Sequence, residues 1–160
     1  MTVGRLVARH RSWLCYVRMD PGAPGAGPLC LELVWRISGM VPRVMLCGHL
    51  VPDGSRAALE VSAPPPGADL VDGPSGYQYT SGFDPEWLPT ADAAAEIALG
   101  PHRASRLLIT GGGVDLDSTP RIVGRATDLL ARLLVGLSEG DWDEERLQGT
   151  LADRVSAWDA

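Results

Sequence analysis

The period of the apolar residues changes along this chain, and no other sequence feature constrains the fold as strongly. Leu29, Leu31, Leu33, Trp35 and Ile37 alternate with Cys30, Glu32, Val34 and Arg36, the two-residue period of a strand with one buried face. Trp13, Cys15, Val17 and Met19 repeat it within residues 12–19, which follow residues 2–9 through a tight turn at His10-Arg11. Residues 21–28, rich in Pro, Gly and Ala, then read as loop. Residues 43–51 form a further strand behind Pro42. Pro52-Asp53-Gly54-Ser55 is predicted to turn that strand into a hairpin with residues 56–62, where Ala57, Leu59 and Val61 share a face.

Beyond residue 84 the period becomes helical. A helix is expected over 84–99, ended by Gly100-Pro101. A short strand at 106–110 is broken by Gly111-Gly112-Gly113. A helix over 120–138 carries Ile122, Ala126, Leu129, Leu130, Leu133 and Leu137 on one stripe, with Ser118 or Thr119 as its cap and Pro120 in its first turn. On its other face, Asp128 is spaced from Arg125 and Arg132 as in exposed ion pairs. Gly140 ends it. Asp141 and Glu144 form a capping-box-like pair for a last helix over 142–158, with Leu147, Leu151, Val155 and Trp158 inward.

Residues 63–82, rich in Pro, Gly and Ser, read as a loop between the two halves. Strands of 1–62 alone would leave a sheet face bare, and helices of 84–158 supply the cover. The expectation is an α+β fold: one domain over 1–160, with a mostly antiparallel sheet and the helices packed on one face.

Composition narrows the function. The chain has no Lys and no Asn, and all 14 cations are Arg. Codon usage in a GC-rich genome explains the missing residues, yet the exclusions stand. P-loop nucleotide binding, Schiff-base chemistry and protein-kinase chemistry each need a lysine this chain lacks. Without Asn there is no N-glycosylation acceptor. Net charge is −6 and unevenly spread. Residues 1–60 hold seven Arg against four acids, whereas 61–118 hold eight acids against two Arg. Overall acidity argues against a nucleic-acid binder, and the Arg-rich front points to an acidic partner. Arg5, Arg9 and Arg11 interrupt any signal-peptide core, and no apolar run is long enough to span a membrane. Cys15, Cys30 and Cys47 all lie in apolar strand patterns and form no CxxC. They are read as three buried thiols in a reducing cytoplasm.

Each motif with the residue types for chemistry has a plain structural explanation. Val114-Asp115-Leu116-Asp117-Ser118-Thr119 resembles the DxDx[TV] string of haloacid-dehalogenase-type phosphatases. The resemblance covers too little of the chain, and that family's later lysine is missing, so it is set aside. Asp115 and Asp117 instead suit a helix N-terminus, and two acids do not make a metal site. Cys47 and His49 share a strand face, but no second ligand pair exists for a metal. No nucleophile, base and oxyanion set emerges. No metal or cofactor is expected.

Four of the nine aromatic residues, Tyr77, Tyr79, Phe83 and Trp87, fall within eleven positions of Gly/Pro/Ser-rich chain. Loop-borne aromatics are efficient recognition anchors, although they can also fold back as a lid over the core. The leading expectation is therefore a cytoplasmic, non-enzymatic binding or accessory protein. Its contacts to a protein partner would be Tyr77, Tyr79, Phe83 and Trp87, with Arg9, Arg11 and Arg18 steering an acidic surface. The alternative is a small enzyme or carrier holding an apolar molecule between sheet and C-terminal helix, with His49, Asp84 and Glu86 as acid/base candidates. A homo-oligomer through the C-terminal helices, marked by Trp142 and Trp158, is a further expectation.

Overall fold

The computed structural model describes residues 5–19, 29–52, 57–100, 105–139 and 143–159. Residues 21–28, expected as a loop, Asp53, Gly54 and Ser55, expected as a turn, and Pro101, His102, Gly140, Asp141 and Trp142 lie outside the described residues.

The fold is α+β, as the change of period requires. Among the described residues the sheet has eight strands: β1 (Arg5–His10), β2 (Trp13–Met19), β3 (Leu29–Trp35), β4 (Arg43–Val51), β5 (Leu59–Val61), β6 (Leu70–Asp72), β7 (Gln78–Ser81) and β8 (Arg106–Val114). Their spatial order is β1-β2-β3-β4-β8-β7-β6, with β5 pairing β8. The helices are α1 (Leu88–Ala98), entered through a 3-10 turn at Pro85–Trp87, α2 (Pro120–Glu139) and α3 (Glu144–Trp158).

The helices cover one sheet face. Leu31, Leu33, Val44, Leu46, Leu107 and Ile109 meet the α2 stripe there, and Leu147, Leu151 and Val155 of α3 close the core. Burial of these side chains, at about 25 cal/mol per Å² of apolar surface, is the main stabilisation. Thr119 caps α2 by accepting from Ile122 N–H at 3.3 Å. The cap of α3 is Asp143, accepting from Arg146 N–H at 2.9 Å, one turn-start later than the expected Asp141–Glu144 pair.

Three strand expectations change. Residues 59–61 do not return beside β4. β8 occupies that edge antiparallel to β4, and β5 runs parallel on the far side of β8. Gly111–Gly113 do not break β8, which continues to Val114. A Cβ on Gly112 would lie 2.7 Å from Gly82 O, and one on Gly113 would lie 2.6 Å from Tyr79 Cβ. Gly112 and Gly113 are thus close-contact positions against Gly82 and Tyr79, while Gly111 is in ordinary contact with Cys47. The presumed loop 63–82 contains β6 and β7, an antiparallel pair that docks on β8.

Cys30 and Cys47 are direct cross-strand partners on β3 and β4, with Cα atoms 4.0 Å apart, and are disulfide-bonded. Only Cys15 is free, and it is buried. The reading of three buried thiols is thus corrected, and the inference to a reducing compartment loses its support. Protein unfolded without reductant should therefore show one reactive thiol with a thiol reagent, and three after reduction. Three thiols at the outset would contradict the pairing. Among the described residues no helix is long and apolar enough to cross a membrane.

A buried carboxylate beneath the aromatic loop

The sheet face away from the helices carries the candidate site. Alternation along the strands puts Arg5, Val7 and Arg9 of β1, Tyr16 and Arg18 of β2, Cys30, Glu32 and Val34 of β3, and Arg43, Met45 and Cys47 of β4 on this face. Glu32 is 0 % exposed. A buried carboxylate must be hydrogen-bonded, and the β6–β7 turn provides the donors. Ser75 donates its N–H at 2.8 Å and its hydroxyl at 2.9 Å, and Tyr79 donates its phenol at 2.6 Å. Arg43 Nη1 stands 3.8 Å from the same carboxylate. Gly73 makes the approach feasible, since a Cβ there would fall 2.7 Å from the Tyr79 ring and 2.8 Å from Glu32 Oε1.

This anchoring orders Tyr77. Its ring lies under the Arg43 guanidinium, 3.8 Å from centroid to Cζ, and packs edge-on against Tyr79 at 4.9 Å. Its hydroxyl donates to Asp115 Oδ2 at 2.8 Å. Asp115 also accepts from Asp117 N–H at 2.9 Å. Ser118 Oγ accepts from Asp115 N–H and donates to Arg43 O at 2.6 Å. Asp115 is thus a bracket between the aromatic loop and the start of α2. Leu116, at the tip of this bracket, is fully exposed.

Of the four aromatics expected to contact a partner, only Tyr77 is on the surface, 39 % exposed. Tyr79, Phe83 and Trp87 are buried. Phe83 and Trp87 pack edge-on at 6.2 Å within the main core, as a lid does. Arg9 and Arg18 are exposed on the sheet face. Arg11 sits in the β1–β2 turn at φ +52° and pairs with Asp159 at 3.3 Å. Arg5 lies directly opposite Arg18 across β1–β2, and its guanidinium is 5.9 Å from the Tyr16 ring.

Asp84 caps the 3-10 turn by accepting from Glu86 N–H at 3.0 Å. Cys47 is consumed by its disulfide, so the Cys47–His49 pair does not exist. Among the described residues no three His, Cys, Asp or Glu side chains are placed to hold a metal ion. The apolar space lined by Leu6, Val17, Leu29, Leu133 and Leu147 between sheet and helices amounts to about 10 Å³, room for at most one water. A carrier needs a ligand-sized cavity there. Trp158, expected at an oligomer interface, packs on Trp13 and donates to Asp128 at 3.1 Å. Asp128 is itself buried, held by Arg132 at 2.7 Å and Arg154 at 2.8 Å, and so is no exposed ion-pair residue.

Burial, and after it the charge of Glu32, raises the Tyr79 phenol far above its ordinary pKa. The buried Cys15 thiol is raised for the same reasons. Unfolded tyrosine ionises near about pH 10. Folded Tyr79 keeps its proton there, so its stabilisation is complete below that pH and is lost as the pH rises above it. Urea unfolding should show stability falling in alkali, each group contributing up to about 1.4 kcal/mol per pH unit. Tyr79→Phe should make that fall shallower, and an unchanged slope would contradict the assignment.

Comparison with known protein families, curated proteins and solved structures finds no match to this chain. Fold and site alone define its class: an α+β protein whose outer sheet face presents a surface tyrosine fastened over a buried carboxylate.

Proposed function

We propose that the protein is a non-enzymatic binding or accessory protein that recognises an acidic protein partner through the sheet face opposite its helices. One observation carries this reading: Arg5, Arg9, Arg18 and Tyr77 share that face. Like charges directly opposite across two strands are destabilising, yet Arg5 and Arg18 are so placed. No acid among the described residues pairs with Arg5, Arg9 or Arg18. A carboxylate-rich partner supplies the missing charge, and guanidinium groups suit bidentate contact with it. Tyr77 adds a pre-ordered aromatic anchor at little entropic cost on binding.

In affinity capture from the native host, the wild-type protein should retain a partner that is released as salt rises. Arg9→Glu combined with Arg18→Glu should weaken retention by roughly tenfold or more, and Tyr77→Ala by a similar factor. Full retention by both variants would refute the surface. The compartment follows from thiol state: three thiols in protein alkylated at lysis would restore the cytoplasmic assignment, and a persisting Cys30–Cys47 bond would point to an oxidising one.

A further inference from the structure

The helix side of the sheet carries a second constellation, independent of the partner face. Trp13 and Trp35 are cross-strand partners and stack with centroids 5.1 Å apart and planes 2° from parallel. Trp158 leans on Trp13, also at 5.1 Å. The Arg125 guanidinium faces all three rings, at 5.2 Å from Trp13, 5.8 Å from Trp35 and 5.5 Å from Trp158. Its Nη1 is buried and has no hydrogen-bond acceptor. The nearby carboxylates are committed elsewhere: Asp128 to Arg132, Arg154 and Trp158, and Asp159 to Arg11. Arg125 therefore has π faces around it and no directly paired acid among the described residues; Arg121 is a cation close to it, and Asp159, which is paired to Arg11, offsets that charge only from a distance.

Arg121 and Arg125 open on a groove of about 420 Å³, with Ala94, Ile97 and Trp158 among its walls and Asp128, neutralised by Arg132 and Arg154, also at its border. That size suits a small ligand. Ile97 is 70 % exposed, an apolar side chain with nothing over it. Arg121 also borders a neighbouring groove of about 270 Å³ walled by Trp35, Ile37 and Met40. Two guanidiniums with no paired acid among the described residues thus line the larger groove, Arg121 also borders the smaller one, and Arg125 is already oriented by aromatic rings.

We infer that this groove binds a small organic carboxylate with an apolar body. Its carboxylate lies on Arg121 and Arg125, and its body lies against Ile97 and Trp158. The tryptophans give a built-in signal. Titration with 1-naphthoate and with octanoate, followed by tryptophan fluorescence and calorimetry, should show saturable one-to-one binding at about 1 mM or tighter. Neutral 1-naphthalenemethanol should bind at least about tenfold more weakly, as should Arg125→Gln protein with either carboxylate. Arg121 is exposed, so Arg121→Gln keeps its fold and should weaken binding about fivefold. Absence of saturation with both carboxylates, equal affinity for the neutral alcohol, or unchanged affinity in Arg121→Gln would each overturn the inference.

Discussion

Glu32→Ala should cost about 3–5 kcal/mol of folding stability, far more than the loss of an ordinary strand glutamate. The reason is the set of groups it leaves behind. Ser75 N–H, Ser75 Oγ and Tyr79 OH all donate to this carboxylate, and Glu32 and Tyr79 are fully buried. An orphaned buried donor costs its full desolvation. Denaturant unfolding measures the loss. A double-mutant cycle with Tyr79→Phe should show coupling of about 1 kcal/mol or more, since the two side chains are bonded directly. A cost near that of a surface substitution would mean that the turn does not sit on Glu32. Glu32→Gln should be milder, because its amide still offers one acceptor and the same shape.

Gly112→Ala is expected to cost about 3 kcal/mol, the upper end of ordinary overpacking. Its Cβ would stand 2.7 Å from Gly82 O and 3.3 Å from Met45 O. Both obstacles are backbone, and Gly82 is tied in turn, with its N–H on Gly112 O at 3.0 Å and Phe83 N–H on Pro64 O at 2.9 Å. Nothing there can swing aside as a side-chain tip would. Gly149→Ala offers the control: nothing lies within 4 Å of its Cβ position, and in a helix interior alanine should stabilise by a few tenths to about 1 kcal/mol. Equal effects at the two positions, read from urea midpoints, would contradict the close approach of Gly82, just past β7, to β8.

These residues also show where the sequence was legible. β2, β3 and β4 and the α2 and α3 stripes followed from the period of their large apolar residues, which stays in the chain even where the other face is buried as well, as at Glu32 of β3 and Asp128 of α2. Leu31 and Leu33, or Leu129 and Leu133, announce their face without knowledge of what covers it. Gly111–Gly113 read as a breaker because glycine has the same local meaning in a turn and in a strand that another backbone approaches closely. Only the position of Gly82 and Tyr79, some 30 residues earlier in the sequence, separates the two. β6 and β7 were hidden by Pro and Gly around strands of three and four residues. β5 was assigned the wrong neighbour because a good turn sequence says nothing about which strand later takes that edge.

The candidate site was half visible. The cluster from Tyr77 to Trp87 was the right region, but exposure cannot be read from aromatic spacing, and three of the four rings turned inward. Glu32 was missed as an anchor because it occupies the polar slot of an alternating strand. Its neighbours on that face, Cys30 and Val34, are not polar, which is the one local sign that the face is covered. Its partners Ser75 and Tyr79 lie 43 and 47 residues away, beyond any local pattern. Arg125 was misread in the same way. Helical spacing offered Asp128 as its partner, but the tertiary fold gave Asp128 to Arg132 and Arg154, and placed three tryptophans around Arg125.

The central claim is that the arginine-bearing sheet face, with Tyr77 fixed upon it, is the surface a partner meets. A photo-crosslinking residue placed singly at position 9, 18 or 77 and at position 97 on the helix side, in the native host, tests it most directly. Covalent adducts to one acidic protein from positions 9, 18 and 77, and none to that protein from 97, are the predicted result. Adducts confined to position 97, or an absence of adducts from the sheet face, would contradict it.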